Sequence, residues 1–418
     1  MNIQRTIPPA AASLCVKDLA RGLAGLFYSK SYHVKLEHEV KEHFQVKHVF
    51  LASSGKAALT IILRALKSLS PEKREVVIPA YTCYSVPSAI VKAGLTVSLC
   101  DITSSTFDFE LSLLKETLNE KTLCVIPDHL FGIPSDMDGI MSLAAKQGAF
   151  VVEDAAQAMG GMRQGKKLGT IGDVGFFSLD RGKNVTSGSG GIIITSSDRI
   201  AAAIEREYTS LEEPRAAENV LEFLKAFMLV LFIRPSLYWL PAGLPFLRLG
   251  ETIFYRDFKI KRFSGMQAGL MRNWRARLEA SNQARKDNAE YFCKGMGLNI
   301  SDGSSTPFLR LPILAVDRDI RNSIYALSRE RGIGLSRMYP ASVNKIREIE
   351  DQFFGKTYPT ASEVAERILT LPTHEFLSDQ DKRTLVQFLN SITLSAGEEV
   401  HLNNRDAWSI PEFSSFKQ

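Results

Sequence analysis

AFVVEDAAQAMGGMRQGKKLGTIGDVGFFSLDRGKN, residues 149–184, contains two short apolar runs, AFVVE (149–153) and VGFFS (174–178). Each gives way to polar residues, Asp154-Ala-Ala-Gln157 after the first and Asp180-Arg-Gly-Lys183-Asn184 shortly after the second. Continuous runs of this length read as strands buried on both faces. The same pattern extends outward to VVIP (76–79), TVSLC (96–100), TLCVIP (122–127) and GIIIT (191–195). Helical periodicity fills Ser85–Ala93, Glu110–Asn119 and Asp136–Gln147 between several of them. Strands alternating with helices predict an α/β fold with a mostly parallel sheet covered on both faces. Ligands of such sheets gather at the carboxyl ends of the strands. Before the first run, Ser53-Ser54-Gly55-Lys56-Ala57-Ala58-Leu59 opens a helix that continues to about Leu66. Small residues at a helix start admit an anion to the backbone N–H groups, although Ser-Ser-Gly is also an ordinary cap.

The 418 residues allow two or three domains. With 45% hydrophobic and 23% charged residues, global disorder and fibrous classes are excluded. The net charge of +5 is too small to make nucleic acid the main partner. Cys15, Cys83, Cys100, Cys124 and Cys293 form no CxxC pair, so neither a disulfide framework nor a metal site is expected. A cytoplasmic setting fits, because the first residues lack the apolar core of a secretory signal.

Beyond Arg199 the pattern changes. Residues 201–219 read as a charged helix, and 220–250 is apolar, broken by Pro235, Pro241 and Pro245. A long helix is expected over 264–295 and a strand over 308–316. Further helices are expected at Arg318–Arg331, Val364–Leu369 and Ser378–Ile392. The divisions are an N-terminal segment 1–44, a large domain 45–260 with an insertion at about 208–258, a smaller α+β domain 261–394 and a tail 395–418.

Asp154 at one strand end, Ser178 at the next and Lys183 five residues later suit a cofactor that needs an anion at a ring nitrogen, a hydroxyl at a phosphate and an amine for a Schiff base. Spacing alone leaves open the plainer reading of a helix cap and a solvated lysine. The motifs SSGKAAL, VVIPAYT, DHLFGIPSDMDGI, VVEDAAQAMGG, KKLGTIGDVGFFS and GKN-x5-GG, in this order, resemble the DegT/DnrJ/EryC1/StrS family of sugar aminotransferases. The resemblance resumes at FSGMQAGLMRNWRARLE and at YPTASEVAERILTLPTHEFLSDQD.

The resemblance implies the type I fold of pyridoxal phosphate (PLP) enzymes, with a mostly parallel seven-stranded sheet between helices, a smaller C-terminal domain and a homodimer. By the same resemblance Lys183 bonds the cofactor and moves a proton, Asp154 meets the ring nitrogen and Gln157 lies near the phenolic oxygen. Ser178 and the backbone at Gly55, Lys56 and Ala57 bind the phosphate, and His129 matches a family histidine. Glutamate is the implied amino donor and a nucleotide-linked keto sugar the acceptor, in surface polysaccharide or amino-sugar biosynthesis. Arg181, Lys261, Arg262 and Arg337 are candidate partners for that nucleotide sugar, against surface solvation as the plain reading. A lysine at 183, where the dehydratase branch of the family has lost it, argues for amino transfer.

Several positions depart from the family. Cys83 follows Thr82 where an aromatic residue usually stacks under the ring, leaving Tyr81 or Tyr84 to supply the face. Lys56 replaces a phosphate-binding Thr, and could reach the phosphate as a point charge or face solvent. Lys259-Ile260-Lys261-Arg262 replaces an Asn-Tyr-Arg that reaches the neighbouring subunit's phosphate. Ser189 stands where an acidic residue is common. The apolar insert is too short between its charges to span a bilayer. It reads either as a helical hairpin buried in the dimer or as a membrane-surface element over 220–250, with Tyr238, Trp239, Lys225 and Arg234 at headgroup depth. Two functional alternatives stand beside the main one: a PLP enzyme acting on an amino acid or lipid-linked sugar, and a non-catalytic regulatory homologue.

Overall fold

The computed structural model describes residues 5–297 and 306–394, so the expected tail at 395–418 lies outside the described residues. Its strands are β1 (His48–Ala52), β2 (Glu75–Pro79), β3 (Thr96–Cys100), β4 (Thr122–Val125), β5 (Phe150–Asp154), β6 (Met162–Arg163), β7 (Lys166–Lys167), β8 (Val174–Ser178), β9 (Gly191–Thr195), β10 (Arg310–Leu314) and β11 (Ile368–Pro372). Seven of them form one sheet in the order β1-β9-β8-β5-β4-β2-β3. β9 runs antiparallel to both its neighbours, and every other neighbouring pair is parallel.

The apolar runs are continuous because successive residues serve opposite layers. Val77, Val125 and Val151 pack on Leu114, Met137 and Ile140. Val76, Ile78 and Val152 face the other way, in the cluster that holds Ile61 and Ile62 of the helix Gly55–Leu69. Beneath β1, β8 and β9, Leu51, Phe177 and Ile192 meet Leu36, Val40 and Phe44 from the helix Ser29–Phe44, together with Trp274. This is the α/β arrangement, with a mostly parallel seven-stranded sheet between helices, that the resemblance implied.

The small antiparallel sheet β10–β11 corrects one expectation. Of the expected helix Val364–Leu369, Val364–Arg367 close the helix Pro359–Arg367, but Ile368 and Leu369 open β11, all five residues of which are buried. The expected helix 264–295 is likewise two helices, Gly265–Leu270 and Trp274–Gly295. The first is pressed backbone to backbone on the helix Val16–Phe27. A Cβ on Gly25 would stand 2.0 Å from the Gly265 carbonyl oxygen, and one on Gly269 would stand 2.1 Å from that of Arg21.

Within the insert, the helix Ala216–Phe232 buries only Ala226. Val220, Leu221, Leu224, Phe227, Met228 and Leu231 are exposed on it. Its buried side packs on Leu19 of the helix Val16–Phe27 and on Met266 and Leu270. Among the described residues the insert holds no second long helix, so the expected helical hairpin is one helix followed by short turns at Trp239–Ala242 and Pro245–Leu247. No described helix is long and apolar enough to cross a membrane.

Residues 5–14 tie the parts together. Arg5 makes a two-pronged bond to Asp381, the Thr6 N–H donates to the Pro235 carbonyl at 2.9 Å and the Ile7 N–H to the Gly332 carbonyl at 2.9 Å. Farther on, Arg285 donates to the Ala11 carbonyl at 2.7 Å.

Candidate active site

Because β2, β4, β5 and β8 are mutually parallel, their carboxyl ends deliver Ala80, Asp128, Asp154 and Ser178 to one edge of the sheet. Asp154 ends β5, is buried, and accepts the Ala156 N–H through Oδ1 at 2.9 Å. Beside it lies Asp128, held by an isolated parallel bridge between the two backbones. Lys183 lies in the loop 179–190 that leads from β8 to β9. Burial raises the Asp154 carboxyl to about 6, against the pull of the Ala156 N–H and the Lys183 charge. Asp128 feels the same ammonium. Asp154, Asp128 and the loop of Lys183 thus lie at the same edge of the sheet.

A second feature lies at the start of the helix Gly55–Leu69. Ser54 caps it, its hydroxyl accepting the Ala57 N–H at 3.1 Å. The N–H groups of Gly55 and Lys56 belong to a first helical turn, which has no intrahelical acceptor for them. A Cβ on Gly55 would stand 3.1 Å from the Ser178 hydroxyl oxygen, so that hydroxyl and the positive end of the helix form one cradle. The Lys56 ammonium takes neither expected position. It lies 4.3 Å from the centre of the Tyr255 ring and 4.9 Å from that of Phe258, where burial lowers its pKa.

His129 is fully buried with both ring nitrogens committed. Nε2 bonds Glu153 Oε1 at 2.8 Å, and Nδ1 accepts the Ser135 N–H at 3.0 Å. Glu153 in turn accepts the N–H groups of Gly169, Ile171 and Gly172. Burial alone would raise this carboxyl, but the His129 bond and those N–H groups outweigh it and hold it below the ordinary value. No free nitrogen remains for proton transfer, so the catalytic expectation for His129 gives way to a structural one.

Tyr81 and Tyr84 are also redirected. Tyr81 donates to the Met338 carbonyl and accepts the Tyr339 N–H, while Tyr84 donates to the Ala341 carbonyl at 3.1 Å. Burial raises both phenols, Tyr84 to about 12. Both hydroxyls thus hold the segment 338–341, and the Tyr84 ring stacks with that of Tyr339. The aromatic residue brought to the site is Tyr339, whose hydroxyl accepts from Gln157 Nε2 at 3.1 Å and whose phenol senses Cys83 and Asp128. Its role depends on a contact between residues 182 positions apart, which no local motif announces.

Of the four candidate substrate cations, Arg181 stays at the surface beside Asp180. Lys261 is nearly buried and bonds Glu218 at 2.7 Å, and Arg262 pairs with Glu213 at 3.3 Å and covers the Tyr208 ring. These two fasten the insert to the sheet and are not free entrance charges. Arg337 is exposed and lies on the Tyr325 ring. The sequence reading missed Arg310, which opens β10, donates to the Ser336 hydroxyl at 2.8 Å and senses the phenols of Tyr339 and Tyr238. It has no acidic partner within ion-pair distance among the described residues.

An amine, a buried carboxylate, a hydroxyl and free helix N–H groups are the donor set that a phosphorylated pyridine aldehyde requires. The Gly55–Ser178 cradle and the partnerless Asp128 Oδ1 are consistent with a polar guest at this edge. PLP fits these residues.

Comparison with known proteins agrees. A model of the DegT/DnrJ/EryC1/StrS aminotransferase family matches residues 18–218. The chain is 26% identical over 350 residues, 82% of its length and 84% of the relative's, to a UDP-N-acetyl-3-dehydro-alpha-D-glucosamine 3-aminotransferase of Acidithiobacillus ferrooxidans. It is 32% identical over 169 residues to a GDP-perosamine synthase of Vibrio cholerae, covering 40% of this chain and under half, 46%, of that one. Among solved structures, the PLP form of a putative sugar aminotransferase, Spr1654 from Streptococcus pneumoniae, superposes with a TM-score of 0.72 at 21% identity. The superposition covers 93% of this chain and 98% of that one, and at this identity it speaks for the fold.

Proposed function

The chain belongs to the DegT/DnrJ/EryC1/StrS aminotransferase family, and from that membership we propose that it moves an amino group from glutamate to a nucleotide-linked keto sugar, as a PLP-dependent homodimer. The observation that supports this reading is that Asp154 at the end of β5, Ser178 at the end of β8 against Gly55, and the loop carrying Lys183 share one edge of the sheet. Bound there, PLP supplies a ring that withdraws electrons from the carbon losing its proton. Lys183 Nζ holds the cofactor, then takes that proton and returns it. Asp154 keeps the ring nitrogen protonated. The Ser178 hydroxyl and the N–H groups of Gly55 and Lys56 hold the phosphate, and Gln157 borders the phenolic oxygen. The acceptor class follows the named relatives, which act on UDP- and GDP-linked sugars. For the donor, Arg310 offers a guanidinium without an acid partner to a carboxylate.

Glutamate added to the PLP-loaded protein should bleach the visible band, and a keto nucleotide sugar should restore it. If no such band forms and glutamate changes nothing, the non-catalytic alternative is correct.

The exposed apolar face of Ala216–Phe232 supports a second reading, that the cytoplasmic enzyme rests on a membrane surface. Co-flotation with anionic liposomes, lost when 216–249 is deleted, is the expected result. Absence of flotation, with the deletion breaking the dimer, would assign the face to the subunit interface.

A further inference from the structure

Asp128 is the one carboxyl at this edge to which neither motif nor family reading gives a role. Its side chain is buried, the Thr82 hydroxyl donates to Oδ2 at 2.7 Å, and Oδ1 has no partner. The bridge to Asp154 is part of a tight backbone lacing: the Asp154 N–H donates to the Pro127 carbonyl at 2.9 Å, and the His129 N–H to the Asp154 carbonyl at 3.0 Å. Two carboxyls fixed side by side in a desolvated setting cannot both ionise cheaply. We propose that Asp128 is a positioning residue of the cofactor seat, a neutral carboxylic acid whose proton lets the adjacent Asp154 carry the single negative charge that meets the ring nitrogen.

The asymmetry between the two follows from their partners. Asp154 accepts a backbone N–H, which favours a carboxylate, whereas the free oxygen of Asp128 is where a proton can reside. The groups around Asp128 are Asp154 at the end of β5, His129 in its own loop, Lys183 from the loop after β8 and the phenol of Tyr339 from the smaller domain. Burial first, and the Asp154 charge second, raise Asp128 to about 8, against the Thr82 bond and the charge of Lys183. Glu153 keeps the His129 imidazole occupied, so His129 does not supply the missing partner. The pair therefore carries one negative charge at neutral pH and two above the Asp128 pKa. The inference rests on the reading of Asp154 as the partner of the ring nitrogen.

The test is equilibrium binding of PLP to the cofactor-stripped full-length protein, followed by fluorescence from about pH 6 to about pH 9.5. Above its pKa Asp128 gains a charge in the wild type that Asp128→Asn cannot gain. Wild-type and Asp128→Asn affinities should then diverge above about pH 8, by up to about tenfold per pH unit, the slope for one proton. The Asn variant keeps an acceptor for Thr82 and cannot ionise. Parallel wild-type and variant curves over the whole range would overturn the proposal, as would an approximately tenfold or larger difference already at about pH 6.5. Asp154→Asn separates this from the underlying reading: if that variant binds PLP as wild type does, the ring-nitrogen assignment fails, whatever Asp128 does. Should Asp128→Asn not fold, infrared absorption of the wild-type protein decides. A protonated-carboxyl band present at about pH 7 and lost by about pH 9.5 supports the proposal, and its absence at about pH 7 refutes it.

Discussion

The Ser178 side chain closes over Gly55 so tightly that a Cβ on the glycine would stand 2.9 Å from the serine Cβ. Gly55→Ala must therefore push the hydroxyl away from the helix start. Cofactor affinity should weaken by about tenfold or more, equivalent to about 1.4 kcal/mol, with the melting temperature of the cofactor-free protein changing little. Fluorescence titration with PLP measures the first quantity and calorimetry the second.

On the proposed function, Lys183→Ala removes the group that holds the cofactor and carries the proton. Turnover should drop by about a thousandfold or more, and the visible band of the lysine-linked cofactor should not form. Retention of both would place the reactive amine elsewhere.

His374 gives a pH prediction. Its Nε2 donates to the Pro8 carbonyl at 2.8 Å, and burial lowers its pKa to about 3. A lowered value means that the unfolded chain takes up the proton first. Stability is therefore full above the unfolded pKa of about 6.5 and is lost as pH falls toward the folded value. Melting curves of wild type should decline through this window, and those of His374→Gln should decline less steeply. The variant should also lose about 1 kcal/mol at neutral pH with the bond to Pro8.

Arg310→Ala should raise KM for glutamate about tenfold to a hundredfold, while the affinity for PLP alone stays within about threefold. Arg310→Lys should recover part of the loss, because it restores charge without the planar fork. An unchanged KM in the alanine variant would remove Arg310 from donor recognition.

The legible part of the fold was the part buried on both sides. VGFFS and GIIIT announce strands because neither face of β8 or β9 meets water. β1 escaped notice, since HVFLA begins with a partly exposed histidine and merges with the preceding helix pattern. β11 was misread because ILTLP continues the helix Pro359–Arg367 in sequence, and only its ladder with β10 makes it a strand. In the site, Asp154, Ser178 and Lys183 could be picked out because each follows a strand in a recognisable motif. Asp128, Tyr339 and Arg310 could not, because their surroundings are assembled from distant segments. His129 shows the converse: its motif was visible, but the carboxylate that occupies it was not.

The reversed direction of β9 shapes how the amine is held. Leu179 and Gly190 are bonded to each other, N–H to carbonyl at 2.9 Å, and Ser178 lies opposite Gly191 in the ladder. The chain between them leaves the sheet and returns on the same shore, a closed mooring rather than a passage to the far side. The loop that carries Lys183 is thus made fast at both ends by rungs of the central sheet, so its stems stay berthed whether or not a guest has arrived.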